Sequence, residues 1–264
     1  MADQYQSKAK VLKSERLATD VCRLTLLCPD IAKKARPGQF VMLRIAPAAL
    51  DPLIRRPFSI YQTTAGGQLQ ILYKVVGKGT GIMAGLHPGD MVDLVGPLGT
   101  GFPIDVRPRH CLIGGGMGAA PLFFLATWLL RHPDAEPVVL LGARNREELR
   151  AIAPEFENLG IPVGLATDDG SEGHHGYVVD LLADSLTGEE RPWHVFSCGP
   201  YPMLRAVAKL CHLRSRRCHV SLETMMACGI GACLGCALPR AGLNGYLHVC
   251  RDGPVLEAGQ VAWF

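Results

Sequence analysis

Near residue 104 the hydrophobic pattern of this 264-residue chain changes character, and that change restricts it to two unlike halves. Before it, short β-rich runs at 21–28, 39–46, 57–63, 68–76 and 90–95 are divided by Pro37-Gly38, Gly66-Gly67, Gly77-Lys78-Gly79 and Pro88-Gly89. No helical period is sustained there, so the pattern predicts an antiparallel β-barrel. After it, apolar runs at 110–114, 137–142, 161–166, 193–198 and 218–222 alternate with helical patterns near 119–131, 146–158, 178–186 and 201–213. Near-continuous apolar strands joined by helices predict an α/β unit with a parallel sheet covered on both faces. Ligands of such sheets bind outside the carboxyl ends of the strands, which singles out the loops after 114, 142, 166 and 198.

A third part, 224–264, is rich in glycine and cysteine and too short for a core of its own. Cys228, Cys233 and Cys236 share nine residues with C-x4-C-x2-C spacing, and Cys250 follows fourteen residues later. That is the plant-type spacing for thiolates holding a 2Fe-2S cluster, a carrier of single electrons. Gly229, Gly231 and Gly235 alternate with the thiols and let backbone N–H groups come close to the sulfurs. A closed four-thiolate zinc site is the competing reading, although structural zinc usually takes two separated pairs. Unligated thiols are a third. A bound metal would supply the stability of this segment.

The remaining composition excludes more than it assigns. A net charge of +3 gives no footprint for nucleic acid. Residues 205–219 do gather Arg205, Lys209, Arg214, Arg216 and Arg217 without an acid. A solvated helix face is the plainer reading, and a docking surface for an acidic partner or a nucleotide phosphate is the other. The start, M-A-D-Q-Y-Q-S-K-A-K, has no apolar signal stretch, and Asp3 and Glu15 argue against a presequence. Cys22, Cys28, Cys111, Cys198, Cys211 and Cys218 are therefore expected as reduced, buried thiols of a cytoplasmic protein. Residues 111–130 are uncharged and long enough to cross a bilayer. Their glycines at 114–118 and Pro121 instead predict strand, turn and helix, and no membrane span.

The turn of Gly114, Gly115, Gly116, Met117 and Gly118 opens G-x-G-x-x-A between a strand and a helix. Such a turn lets backbone N–H groups and a helix N-terminus approach a pyrophosphate; the plainer alternative is close packing of helix on strand. The acid usual at the end of the second strand is replaced by Gly142-Ala143-Arg144-Asn145, leaving NAD and NADP both open. Arg144 meets either a 2′-phosphate or Glu147 and Glu148. In the barrel half, Arg56-Pro57-Phe58-Ser59, Leu72-Tyr73-Lys74 and Gly79-Thr80 offer an arginine, a rigid turn and a hydroxyl suited to a phosphate and the edge of a flat ring. Adjacent arginines before a strand are also common as a solvated edge. Cys198 reads equally as a buried strand-end thiol or a nicotinamide contact. Met225 and Met226 are expected in the core, the alternative being an exposed patch beside the thiols for a redox partner. No nucleophile–base triad is present, so no catalytic residue is assigned.

R-P-F-S, Y-K-V-V-G-K-G-T, G-P-L-G-T-G-F-P, G-G-G-M-G-A-A-P-L, C-G-P-Y-P-M-L and C-x4-C-x2-C occur in that order. In this the chain resembles the ferredoxin–NADP reductase superfamily over essentially its whole length. More narrowly it resembles the electron-transfer subunits of NAD-dependent (class 1B) dihydroorotate dehydrogenases. The resemblance implies an FAD-binding barrel over 1–103, a nicotinamide-nucleotide domain over 104–223 and a 2Fe-2S domain over 224–264. It implies that Arg56, Pro57, Phe58 and Ser59 line the isoalloxazine and phosphates of FAD, with Leu72, Tyr73 and Lys74 on another side and Gly79 and Thr80 at the pyrophosphate. Gly114, Gly115, Gly116, Met117 and Gly118 with Cys198, Gly199 and Pro200 would receive NAD, and Cys228, Cys233, Cys236 and Cys250 would hold the cluster. Lys74 stands where the family often has Arg, which keeps the charge and loses the bidentate fork; Ala120 stands where it often has Pro. The implied activity is that of an oxidoreductase subunit in pyrimidine biosynthesis. Its partner would be an FMN-bearing dihydroorotate dehydrogenase catalytic subunit, two of each forming a heterotetramer. The alternatives are an FAD and 2Fe-2S subunit of a sulfhydrogenase or an NADH-dependent ferredoxin:NADP reductase, or a non-catalytic nucleotide-binding zinc protein.

Overall fold

In the computed structural model, residues 5–45, 51–106, 108–132, 134–186, 192–242 and 244–263 are described; residue 46, the end of one expected strand, lies outside them. The first half folds into β1 (Tyr5–Arg16), β2 (Val21–Leu27), β3 (Phe40–Arg44), β4 (Arg56–Ser59), β5 (Gln62–Thr63), β6 (Gln68–Lys74) and β7 (Met91–Leu98). They form one antiparallel sheet in the order β4-β3-β7-β1-β2-β6-β5. The sheet curls until its ends meet: Phe58 of β4 touches Tyr73 of β6 edge to face, with ring centroids 6.0 Å apart. Strand β1 was not foreseen, because lysines and glutamines conceal its period of two. Ala9 and Val11 are fully buried and Tyr5 packs on the same core, while Lys8 and Lys10 face water. Two short helices, α1 (Pro29–Lys34) and α2 (Lys78–Ala84), also went unforeseen. The second occupies the Gly77-Lys78-Gly79 segment that read as a turn.

The second half is the expected parallel sheet: β8 (Arg109–Gly115), β9 (Pro137–Ala143), β10 (Val163–Thr167), β11 (His174–His175), β12 (Trp193–Cys198) and β13 (Arg217–Ser221). Helices α3 (Ala119–Leu129), α4 (Arg146–Arg150), α5 (Ala153–Glu157), α6 (Val178–Ser185) and α7 (Tyr201–Leu213) flank it. The helix expected over 146–158 is broken into α4 and α5. Pro154 has no N–H to return to the preceding turn, so the first helix ends and a second begins on the proline. The uncharged stretch 111–130 is β8, a tight turn and α3, as its glycines required. No helix among the described residues is long and apolar enough to cross a membrane.

The tail adds a hairpin, β14 (Ala237–Pro239) and β15 (Tyr246–His248), and an edge strand, β16 (Val255–Glu257). The large sheet runs β11-β10-β9-β8-β12-β13-β16, with β16 antiparallel to β13. Val249, Leu256 and Val261 share one apolar cluster with Val195, Leu204 and Val207, so the tail's core is an extension of the α/β core. A metal is therefore not its sole source of stability. The same cluster takes in Phe40, Met42 and Leu98 of the barrel.

Barrel and α/β lobe are joined by a second contact. Tyr61 stacks on Phe123 at 4.5 Å and donates its hydroxyl to Glu155 at 3.0 Å, and Arg23 pairs with the same carboxylate at 3.0 Å.

Candidate cofactor sites

At the carboxyl ends of β8 and β12 two loops interlock. Gly116 turns the chain with φ +53, a left-handed conformation that favours glycine. A Cβ on Gly118 would lie 2.4 Å from the Cys198 carbonyl oxygen, so only glycine lets α3 start this close to β12. A cleft of about 400 Å³ opens beside this junction, lined by Met117, Gly118, Gly199, Pro200, Leu222 and Glu223. A larger one of about 580 Å³ lies beyond Gly115 and Gly116, with Ala143, Arg144, Asp168 and Tyr177 among its walls. Every residue of the predicted nucleotide turn thus reaches a wall of one of these two clefts except Gly114 and Cys198. The Cys198 side chain is buried, and burial together with nearby Glu223 pushes its thiol well above the ordinary range, so its part is to carry the loop.

Arg144 closes on Glu148 as a fork, its Nε 3.1 and 3.0 Å from the two carboxylate oxygens, rather than reaching into the cleft as a free cation. That bond, aided by Lys74 and opposed by partial burial, brings the Glu148 carboxyl down to about 2. Glu147 instead accepts from the Thr19 hydroxyl at 3.1 Å. Sequence reasoning missed Asp168, Asp180 and Glu223 as cleft-lining acids. Their positions after strand ends or at a helix start were the available signal. Glu223 opens to the cleft yet is flanked by protein, and desolvation raises its carboxyl.

In the barrel, segments 51–59 and 72–80 come together: Phe58 meets Tyr73, Lys78 pairs with Asp51, and Gly79 lies against Pro52. Arg56 donates to the Ile54 carbonyl at 2.6 Å. Thr80 Oγ1 accepts from the Val76 and Gly77 N–H groups at 2.9 and 3.2 Å and so fixes the head of α2. Pro57, Phe58 and Ser59 run half-buried along β4. The three predicted residues of β6 do not share a face, because successive strand residues point to opposite sides. Tyr73 turns into the barrel core, whereas Leu72 packs toward the α/β lobe and Lys74 pairs with Asp20 and Glu148, each at 3.0 Å. Leu53, Ile54 and Val76 remain exposed beside this polar clamp, an apolar rim of the kind a flat ring would cover.

The tail sets its predicted thiols in two pairs, and among the described residues no three His, Cys, Asp or Glu side chains already stand in metal-holding geometry. The sulfurs of Cys236 and Cys250 lie 3.2 Å apart. Cys228 Sγ accepts from the N–H groups of Ile230 at 3.5 Å and Cys233 at 3.4 Å, and from the Cys233 side chain. The Gly231 N–H donates to Cys250 Sγ at 3.1 Å. Burial raises the Cys228 thiol, but the backbone donors outweigh it and bring it down to about 6. Burial and the adjacent Cys236 push Cys250 up to about 12. Two thiol pairs with backbone donors aimed at sulfur fit a two-iron cluster with two thiolates per iron. Gly229 packs this loop on β3 and β7, where a Cβ would meet Met42 at 2.5 Å and Leu98 at 3.3 Å. Met226 is partly buried, but Met225 is 90% exposed, which corrects the expectation that both lie in the core. Ile230 and Leu234 are exposed as well. The other six cysteines are free and buried, as expected of reduced thiols.

Three families match the chain in succession. They are described as the oxidoreductase FAD-binding domain (residues 8–102), the oxidoreductase NAD-binding domain (112–209) and the iron–sulfur cluster binding domain of dihydroorotate dehydrogenase B (223–262). With the fold and the three sites they define the class: an oxidoreductase that binds FAD, NAD and an iron–sulfur cluster. The chain is 39% identical over 262 residues to the electron transfer subunit of dihydroorotate dehydrogenase B (NAD(+)) from Bacillus caldolyticus, covering 97% of this chain and 98% of that one. To the same subunit from Desulforamulus reducens it is 37% identical over 259 residues, covering 97% of each. A solved NADH-dependent reduced ferredoxin–NADP oxidoreductase, described for flavin-based electron bifurcation, is 30% identical with TM-score 0.85, covering 97% of this chain and 90% of that one. The chain belongs to the family of electron-transfer subunits of dihydroorotate dehydrogenase B.

Proposed function

We propose that this chain carries electrons between NAD and a separate catalytic subunit that oxidises dihydroorotate, in pyrimidine biosynthesis. The observation that carries this reading is the seating of the thiol loop on barrel strands β3 and β7, so that flavin-type and cluster-type sites share one apolar core. Bound FAD would exchange hydride with a nicotinamide and single electrons with the cluster, a chemistry that belongs to the cofactors. The chain's own part is to bind, orient and exclude water.

Within 1–103, Arg56, Pro57, Phe58 and Ser59, the backbone of Leu72, Tyr73 and Lys74, and Gly79 with Thr80 would hold FAD. Within 104–223, the glycine turn at 114–118 with Gly199 and Pro200 would hold NAD. Glu148, Asp168 and Asp180 line the larger cleft while Arg144 is committed to Glu148, an electrostatic balance that disfavours an additional phosphate. Within 224–264, Cys228, Cys233, Cys236 and Cys250 would hold the cluster. Met225, Ile230 and Leu234, exposed apolar residues that flank the thiols along the chain, would dock the catalytic subunit. That partner would carry FMN, two of each chain would assemble, and the complex would work in the cytoplasm, in keeping with the buried free thiols.

Purification of the chain from its native cell should bring down a flavin-bearing chain that is reduced by dihydroorotate; recovery of hydrogenase chains or of a ferredoxin-dependent reductase partner instead would overturn the assignment. Cys233→Ser should remove most of the iron and labile sulfide while NADH still reduces the flavin. A purified wild-type protein that is colourless and holds zinc would end the redox reading.

A further inference from the structure

Arg205, Lys209 and His212 stand at i, i+4 and i+7 of α7 and therefore share one face of the helix. That face, the start of β13 and the end of the tail enclose a cleft of about 560 Å³, within the size range of small-molecule sites. It is distinct from the nucleotide clefts. Pro202, Met203 and Ala206 of α7 line the larger of those, whereas Arg205, Lys209 and His212 line this one. From Pro202 to His212 the helix axis covers ~15 Å.

The lining is strongly cationic. Arg205, Lys209, Arg216 and Arg217 face it against one carboxylate, Glu257, and among the described residues none of the four makes an ion pair. Arg216 Nε is wholly buried and has no hydrogen-bond partner. That leaves the guanidinium with no protein acceptor at Nε, so an anion bound by the rest of the group meets no competing protein partner there. The carboxyl end of α7 borders the cleft and opposes an anion, but with only about half a charge. The remaining wall is apolar and aromatic: Val261 and Trp263, the indole held by donation of its N–H to the Ala258 carbonyl at 2.9 Å and by the Tyr201 ring at 5.3 Å.

We propose that this cleft binds a nucleoside phosphate, with its phosphates on the arginine and lysine side chains and its base against Trp263. Planar guanidinium forks match phosphate oxygens in pairs, and an indole offers a flat apolar surface to a base.

The test uses the holoprotein with NAD⁺ at saturation, so that the nicotinamide-nucleotide clefts are filled. ATP, UTP and inorganic tripolyphosphate are titrated calorimetrically at two salt concentrations. One saturable site is expected, tighter for a nucleoside triphosphate than for tripolyphosphate and weaker at high salt. Arg216→Ala should weaken it about tenfold or more. Because Arg216 is half-buried, the exposed pair Arg205→Glu/Lys209→Glu serves as a second variant, with at least the same loss and unaltered flavin reduction by NADH. Absence of a saturable site, equal affinity for tripolyphosphate, competition with NAD⁺, or indifference to the α7 double variant would each overturn the proposal.

Discussion

His110, His194 and His219 lie across β8, β12 and β13 within the core of the parallel sheet. His194 Nε2 and His219 Nδ1 are 2.8 Å apart and share one proton, which suits two neutral rings and excludes two charged ones. Burial, then repulsion from His219, holds His194 down to about 3. Burial and Arg217 hold His219 down to about 4. Above the ordinary value of 6.5 both rings are neutral in either state and pH does nothing. Below it the unfolded chain takes up protons that the folded chain refuses, at about 1.4 kcal/mol per pH unit for each ring. Glu148, brought down to about 2, adds a further loss below its ordinary 4.5. The urea midpoint should therefore fall steadily from pH 6.5 to 4.5, and His194→Gln/His219→Gln should flatten that slope. A level wild-type profile across this window would contradict the neutral pair. None of this was visible beforehand, because three histidines far apart in the chain become neighbours only through strand order.

At the scale of elements, the turn at 114–118 separates two demands that look alike in sequence. Gly118→Ala would place a methyl against the Cys198 carbonyl and force apart α3 and β12. A loss of about 2–3 kcal/mol is expected, together with weaker NADH binding. Gly116→Ala would meet open space and add only the strain of a left-handed backbone, about 1 kcal/mol. Thermal unfolding with NADH titration distinguishes them, and equal effects would discard the contact as the cause. Strand, glycine turn and helix were legible here because each has a local signature. Pro154 also announced its break of the 146–158 helix, although the helical period around it masked the interruption. Strand β1 was illegible for the opposite reason: its outward half is so polar that little beyond two buried residues, Ala9 and Val11, marks it.

For the whole molecule, one carboxylate gathers several of the barrel's contacts with the α/β lobe, beside the Lys74–Glu148 and Thr19–Glu147 bridges and the shared apolar cluster. Glu155 takes both the Tyr61 hydroxyl and Arg23, and beneath them Tyr61 and Phe123 stack. Glu155→Ala leaves the buried Tyr61 phenol without its acceptor, while Arg23 keeps Glu15 at 3.2 Å, at a cost of about 1–2 kcal/mol. Hydrogen exchange in β2 and α5 should quicken while the interior of β12 stays protected; unchanged exchange at the lobe contact would show that the remaining contacts hold it without Glu155.

Local patterns determined the two lobes, the glycine turn and the four thiols, since period, turn chemistry and ligand spacing act over a few residues and survive in any register. Only the tertiary structure decided that Tyr73 turns away from Lys74, that Arg144 is spent on Glu148, that Met225 stands in water and that the tail shares its core with both lobes. Those outcomes depend on which distant surfaces meet, and apolar burial fixes such meetings through shape and area, which no single stretch of chain carries.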